Sequence, residues 1–226
     1  MKKTICSILV AIPLVLCTGI NSAFTQDQID INALIQETQK RSDKTQEMTL
    51  VWWIPEEYWQ ASFSQSRNIT ASQIEEQIKV FRPYTSVAVV DGMVSIYGTV
   101  TYKSEADIRS NVRFVDSQGN IYLPLSDTYI NADTRAVLAM MKPALVNVSG
   151  PVGQNMYFFV FPAQNKEGLG IADAKKEGEF SVKLGEREFR WKLPLSSLLP
   201  PKICPTCHEK LSGSYKYCPW DGTKLE

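Results

Sequence analysis

The residue types best suited to chemistry are concentrated at the C-terminal end of the chain. Cys204, Cys207 and Cys218 are the cysteines beyond the N-terminal apolar segment, and His208 is the single histidine. The pattern is C-x2-C, ten residues, then C-x2-D, with Asp221 where a fourth cysteine would complete a second pair. Two residues between ligands allow a tight turn that directs both side chains at one ion, and Zn²⁺ takes four sulfur, nitrogen or oxygen donors in a tetrahedron. The spacing therefore predicts a metal site made of the three cysteines and Asp221.

The segment from residue 202 to residue 226 resembles a zinc ribbon. The resemblance is carried by ICPTC and KYCPWDGTKL, with LSGSYKY between them as the expected hairpin. It implies a bound zinc ion that holds a small module together. Asp221 departs from the four-cysteine pattern of that family, and His208 departs from the glycine that usually follows the second cysteine. Asp221 is the preferred fourth ligand, and His208 is the alternative.

Two further chemistries fit the same residues. CPTCH matches C-x-x-C-H, which is typical of c-type haem attached to Cys204 and Cys207 with His208 as the iron ligand. Its position at the C-terminus leaves little chain to enclose a porphyrin, and haem gives Cys218 no role. A dithiol or disulfide between two of the cysteines is the second alternative, since an oxidising compartment opposes zinc–thiolate binding.

The N-terminal segment predicts export. The chain begins Met-Lys-Lys, continues with an apolar run from Ile5 to Leu16, and then turns small and polar, which predicts a secretory signal cleaved after Ala23. An uncleaved anchor is the alternative, while Leu16 before Cys17 disfavours lipidation. We expect a periplasmic or secreted protein that contacts a membrane only if this segment is retained or lipidated.

Composition and the positions of turn and linker residues divide the 226 residues into a signal and four further parts. Acidic and basic residues number 24 each, so the net charge gives no indication of a nucleic-acid partner. The expected parts are a signal peptide (1–23), a polar leader with one helix (24–47), a β-rich domain (48–195), a proline-rich linker (196–202) and the ribbon-like module (203–226).

The pattern of residues 48–195 predicts an α+β domain. Its period-two runs predict an antiparallel sheet or sandwich with a few helices on one face, and an immunoglobulin-like sandwich is the expected form. Leu50 to Ile54 predicts a strand, NMYFFVFPA a central strand, and the neighbouring tryptophans a core position. Hairpin turns are expected at Asp91-Gly92, at 117–119 and at Gly185-Glu186.

Two helices are marked by their ends. A capping box over residues 72–75 predicts one helix, and a second is expected from Asp133 to Asn147 with an interruption at Pro143.

The β-rich domain lacks the usual catalytic motifs. It contains no histidine, no cysteine and no G-x-S-x-G, dinucleotide-binding or P-loop sequence. A carboxylate pair is the remaining catalytic chemistry, and the available acids are Glu56, Glu57, Asp91, Asp107, Asp127 and Asp133.

We therefore expect an exported, non-enzymatic binding or scaffold protein with a structural zinc ribbon and a protein or ligand as its partner. A redox or electron-transfer protein that uses Cys204 and Cys207 is the second hypothesis, and a carboxylate-pair hydrolase is the third.

Overall fold

The computed structural model describes residues 29–65 and 70–226. The predicted signal, its cleavage point and Cys17 lie outside the described residues. Among the residues that are described, no helix combines the length and the hydrophobicity that a membrane crossing requires.

The described chain alternates short helices and short strands. The helices are α1 (Ile31–Thr38), α2 (Glu56–Ser64), α3 (Ala71–Lys79), α4 (Glu105–Asn111), α5 (Ala132–Ser149) and α6 (Pro151–Gln154), with 3-10 turns at Asp127–Tyr129 and Ser196–Leu198. The strands are β1 (Gln39–Arg41), β2 (Leu50–Ile54), β3 (Tyr84–Val90), β4 (Gly92–Val94), β5 (Val100–Tyr102), β6 (Val112–Val115), β7 (Ile121–Tyr122), β8 (Tyr157–Pro162), β9 (Gly178–Leu184), β10 (Arg187–Leu193), β11 (Lys202–Ile203) and β12 (Lys210–Leu211).

Two four-stranded antiparallel sheets form the frame of the large domain. The first has the order β1-β2-β3-β8 and the second the order β10-β9-β6-β7. Their facing side chains make one core, in which Trp53 packs edge-on against Phe180 with ring centroids 4.7 Å apart. The opposite face of the first sheet packs against side chains of α2, α3 and α5, and these make a second core. The domain thus has three layers: helices, first sheet and second sheet.

The strand β2 is buried on both of its faces. Val51 and Trp53 enter the core between the sheets, while Trp52 and Ile54 enter the core beneath the helices. Because successive side chains alternate between the faces, a strand with two buried faces must be apolar throughout. This confirms the predicted strand and the predicted core position of its tryptophans.

The predicted fold class is confirmed, since the chain combines helices with antiparallel sheets. The immunoglobulin-like form stays a prediction. The turns predicted at residues 117–119 and at Gly185-Glu186 join β6 to β7 and β9 to β10. A short helix, α1, lies in the predicted polar leader.

The prediction of a hairpin turn at Asp91-Gly92 is wrong. The chain instead passes from β3 directly into β4, which pairs with β5 through a turn near Gly98. Gly92 is required for close packing, because a Cβ there would lie 2.9 Å from the carbonyl oxygen of Thr101. Asp91 is buried in an ion cluster and does not form a turn.

Three other local predictions need correction. The capping box is formed by Thr70 and Gln73, two residues before the expected pair, so α3 begins earlier. Asn131 caps α5 in place of Asp133, and the helix continues through Pro143 because residues on both sides pack on the second core. The strand β8 lies at an edge of its sheet, yet it is apolar because both of its faces are buried.

Trp59 anchors the helical layer to the second core. It is 3% exposed, and its ring stacks on Phe81 with centroids 4.2 Å apart. We expect Trp59→Ala to lower the free energy of unfolding by about 3–5 kcal/mol, because it removes a large buried side chain. Trp220, which is 75% exposed, provides the matched control, and Trp220→Ala should leave the melting of the domain unchanged. Equal effects in thermal denaturation would contradict the assignment.

A buried ion cluster joins the first sheet to the second. Asp91, 2% exposed, binds Arg187 at 2.6 Å and Lys103 at 2.8 Å, and it accepts a hydrogen bond from Thr49 at 2.8 Å. Burial raises the pKa of Asp91, but the hydrogen bonds from Arg187, Lys103 and Thr49 outweigh it, so the net shift is downward. The ionised carboxylate is therefore stabilised by folding.

The stability that Asp91 contributes should depend on pH in a defined direction. A carboxyl whose pKa falls on folding contributes fully above its unfolded value of about 3.9, and the contribution is lost as the pH falls through the lower folded value. Asp91→Asn should lower the free energy of unfolding by about 3 kcal/mol at neutral pH, and the difference should shrink at acidic pH. Urea titrations across pH test this, with the exposed Asp43→Asn as the control. A difference that persists at low pH would contradict the assignment.

Candidate metal centre

The C-terminal module, residues 202–226, is built from two turns of the same geometry. In the first, the N–H of His208 donates to the carbonyl of Cys204 at 3.0 Å, and in the second Gly222 donates to Cys218 at 2.9 Å. Each turn closes with a second bond, from Cys204 to Glu209 at 3.0 Å and from Cys218 to Thr223 at 2.7 Å. The repeated Cys-Pro-x-x pattern thus produces two matching loops that direct their predicted ligands toward one point.

The backbone at the fifth position of each loop explains one feature of the sequence. His208 has φ of 60° and Gly222 has φ of 72°, so both occupy the left-handed region. Glycine adopts this region freely, whereas histidine does so at a cost. His208 therefore stands where the turn favours glycine, and its side chain is exposed.

The two turns bring together the four predicted ligands. One donor atom from each of Cys204, Cys207, Cys218 and Asp221 lies within 4.8 Å of the others. The Sγ atoms of Cys207 and Cys218 are 3.7 Å apart, and Sγ of Cys204 lies 3.3 Å from Oδ2 of Asp221. Tetrahedral ligands about 2.3 Å from one zinc ion lie about 3.8 Å apart. The donor set is therefore compatible with zinc, and His208 is not part of the cluster.

Electrostatics within the cluster favour a cation. The N–H of Glu209 lowers the pKa of Cys207, but burial and the neighbouring Cys204, Asp221 and Cys218 outweigh it and raise the pKa to about 12. The hydroxyl and N–H of Thr223 hold the pKa of Asp221 well below its usual range. Burial raises the pKa of Cys204, yet hydrogen bonds from the loop, led by the N–H of Cys207, bring it below its usual value. Several acidic groups so close together repel one another when ionised, and a divalent ion would remove that repulsion.

Two of the predicted ligands also form half of the module's own core. Its buried cluster consists of Cys204, Leu211, Cys218 and Leu225. Gly213 brings the hairpin loop against the linker, because a Cβ there would lie 2.3 Å from the carbonyl oxygen of Pro200. The pairing of β11 with β12 and the contact at Gly213 hold the start of the module against the linker.

Sequence spacing did not reveal the contact that joins the two turns to each other. The hydroxyls of Thr206 and Thr223 are 2.9 Å apart, and the N–H of Thr223 donates to Asp221 at 2.8 Å. Thr223 thus orients the fourth ligand, in the way that outer-shell partners usually do. Thr206 and Thr223 lie between or after the predicted ligands, and no sequence spacing identifies a hydroxyl residue with this role.

The acids proposed for a carboxylate pair all lie in the large domain, and four of them have ionic or hydrogen-bonding partners. Glu56 pairs with Arg82 at 3.0 Å, and Glu57 pairs with Lys175 at 3.2 Å. Asp91 belongs to the buried ion cluster. The remaining three lie at helix starts: Asp107 in the capping box of α4, Asp127 in a 3-10 turn and Asp133 in the first turn of α5.

Searches against protein-family models, curated proteins and solved structures find no match to this chain.

The identity of the fourth ligand can be tested with two substitutions. Asp221→Ala should weaken zinc binding by at least about tenfold, because even an outer-shell partner contributes that much to metal affinity. Asp221→Cys should restore or strengthen binding, since it completes a four-thiolate site. His208→Gly removes the imidazole while suiting the left-handed backbone, and it should leave affinity unchanged.

Competition against a chromophoric chelator, under reducing conditions, measures all three affinities. Loss of zinc binding in His208→Gly with no loss in Asp221→Ala would identify His208 as the ligand instead.

Proposed function

We propose that this is an exported, non-enzymatic binding or scaffold protein whose C-terminal module is a zinc ribbon with a structural role. The observation that carries the proposal is the convergence of three sulfur atoms and one carboxylate within 4.8 Å. A site with four protein ligands has no open position for a substrate, and such closed sites are typically structural.

The size of the module supports a structural role for the metal. Its core has four buried side chains, two of which are ligands, so the apolar area available to stabilise it is small. Domains of this size usually need a metal or disulfides to fold. Zinc binding would supply the free energy that hydrophobic burial does not.

The surface of the module supports a role in contacting a partner. Among the described residues, the exposed large hydrophobic side chains in the module are Ile203, Tyr215, Tyr217 and Trp220. Aromatic residues are enriched at protein interfaces relative to other surfaces. A metal-held module that presents three exposed aromatic rings is well suited to bind a protein.

The large domain supports a non-enzymatic role. The acids that could form a catalytic pair are engaged in ion pairs, in a buried cluster or at helix starts, as described above. Asp91, which is held by Arg187 and Lys103, is a poor general acid, because its pKa is lowered and not raised.

One observation favours a different function, a dithiol that undergoes oxidation. Sγ of Cys207 lies 3.7 Å from Sγ of Cys218, and the three described cysteines are free. A small movement would allow these two sulfurs to form a disulfide in an oxidising compartment. The haem alternative has less support, because Cys204 is fully buried against Asp221 and Cys218 would have no role.

Elemental analysis and a visible spectrum of the exported protein test the proposal. We expect one zinc per chain and no visible absorption band. Iron with a Soret band would establish the haem alternative, while absence of metal with two thiols missing from a thiol count would establish the disulfide. Either result would overturn the structural zinc site.

Removal of one ligand should separate the module from the large domain. Cys218→Ser should abolish stoichiometric zinc and increase hydrogen exchange within residues 202–226, while the large domain still unfolds cooperatively. Ser214→Ala, an exposed change in the same module, should retain zinc and its protection from exchange. Unchanged exchange in Cys218→Ser would show that the metal does not hold the module.

A further inference from the structure

A cavity of about 350 Å³ opens between α4, α5 and the edge strand β8. It lies in the large domain and includes none of the metal ligands. Its volume is near the lower end of the range of about 300–1,000 Å³ that is typical of small-molecule pockets. Its floor is apolar and consists of Ile130, Leu138, Met156, Tyr157, Phe158 and Val160.

Three cations line the rim of this cavity. Arg109 comes from α4, while Arg135 and Lys142 come from α5, where a spacing of seven residues places them on one face of the helix. Two carboxylates, Glu105 and Asp127, also line it. Glu105 pairs with Arg109 at 3.2 Å.

Neither cation of α5 has an ionic partner. Among the described residues, Arg135 and Lys142 take part in no ion pair within 4.0 Å. The alkyl stem of Lys142 is partly buried, and its ammonium lies 4.3 Å from the centre of the Tyr157 ring and donates to the carbonyl of Met156. Burial lowers the pKa of Lys142 even though the charge of Glu105 acts in the opposite direction.

A partly desolvated ammonium without a counter-ion is unfavourable, because the hydrogen bond to a carbonyl and the contact with a ring replace only part of its hydration. An anion bound in the cavity would provide the missing charge to Lys142, and the exposed Arg135 lines the same cavity. The apolar floor beneath them would bury a hydrocarbon or aromatic group. The arrangement of a few convergent polar groups over an apolar surface is the usual form of a small-molecule site.

We propose that this cavity binds a small organic carboxylate, with the carboxylate held by Lys142 and Arg135 and an apolar body on the floor beneath them. The proposal rests on the proposed binding role of the protein and names a ligand class for its large domain. It does not depend on the metal.

Three probes of equal length and different charge test the assignment: hexanoate, hexanol and hexylamine. We expect hexanoate to shift the methyl NMR resonances of Ile130, Leu138 and Met156 in the full chain, and hexanol and hexylamine to shift them at least tenfold less at equal concentration. Equal shifts from hexanoate and hexanol would overturn the proposal, because the cations would then contribute nothing.

Two variants test separately the contribution of the Lys142 charge and that of the cavity volume. Lys142→Met keeps an apolar stem and should weaken hexanoate binding about tenfold or more, since a bond to a charged group is lost. Ala139→Leu keeps all three cations, adds bulk to the lining between Arg135 and Lys142, and should abolish binding. Lys192→Met, an exposed change on β10, is the matched control and should bind like the wild type.

Thermal melting of each variant confirms that the domain is folded, and unchanged methyl resonances of Ile130, Leu138 and Met156 in ligand-free Lys142→Met give a second check that the apolar floor is intact. Equal affinity of Lys142→Met and Lys192→Met for hexanoate would overturn the proposal.

The proposed zinc site and the proposed carboxylate site can be refuted independently of each other. Cys218→Ser should lose zinc and still bind hexanoate, while Lys142→Met should bind hexanoate more weakly and still contain zinc. Zinc in the purified protein with no hexanoate effect would overturn the carboxylate site and leave the structural ribbon standing. Hexanoate binding without zinc would do the reverse.

Discussion

Burial of both faces of the first sheet is the constraint on which the large domain depends. The second sheet covers one face and the helices cover the other, so β2 and β8 carry apolar side chains on both sides. Trp52 and Trp53 are adjacent in the chain, yet they belong to different cores. Because each core needs a partner layer, neither the helices nor the second sheet could be removed without exposing one face of the first sheet.

The C-terminal module has a much smaller core than the large domain. Four buried side chains cannot offset the entropy of ordering a chain of this length, so coordination at the two turns would provide what burial lacks. The identical hydrogen bonds of the two turns direct the ligands at one point. Contact of Gly213 with Leu199 and Pro200 then packs the module against the linker. With a bound metal, the two parts would therefore rely on separate sources of stability.

Local patterns predicted those elements whose ends and periods act within a few residues. The strand at Leu50–Ile54, the turn at Gly185 and the metal turns are of this type. The errors arose where two local solutions competed. Asp91-Gly92 has hairpin residues, but Asp91 is used in an ion cluster with Lys103 and Arg187. Likewise, two overlapping capping sequences precede α3, and the earlier one forms.

The sequence by itself determined the four clustered donors and the alternation that makes strands, because ligand spacing within a turn and side-chain alternation in a strand are local properties. Tertiary structure alone decided that Thr206 meets Thr223, that Asp91 meets Arg187, and that α4, α5 and β8 enclose a cavity. These groups are separated by many residues, and their meeting depends on which strands pair and which faces pack. Those choices come from the simultaneous burial of two cores, a cooperative property of the folded chain that no short segment carries.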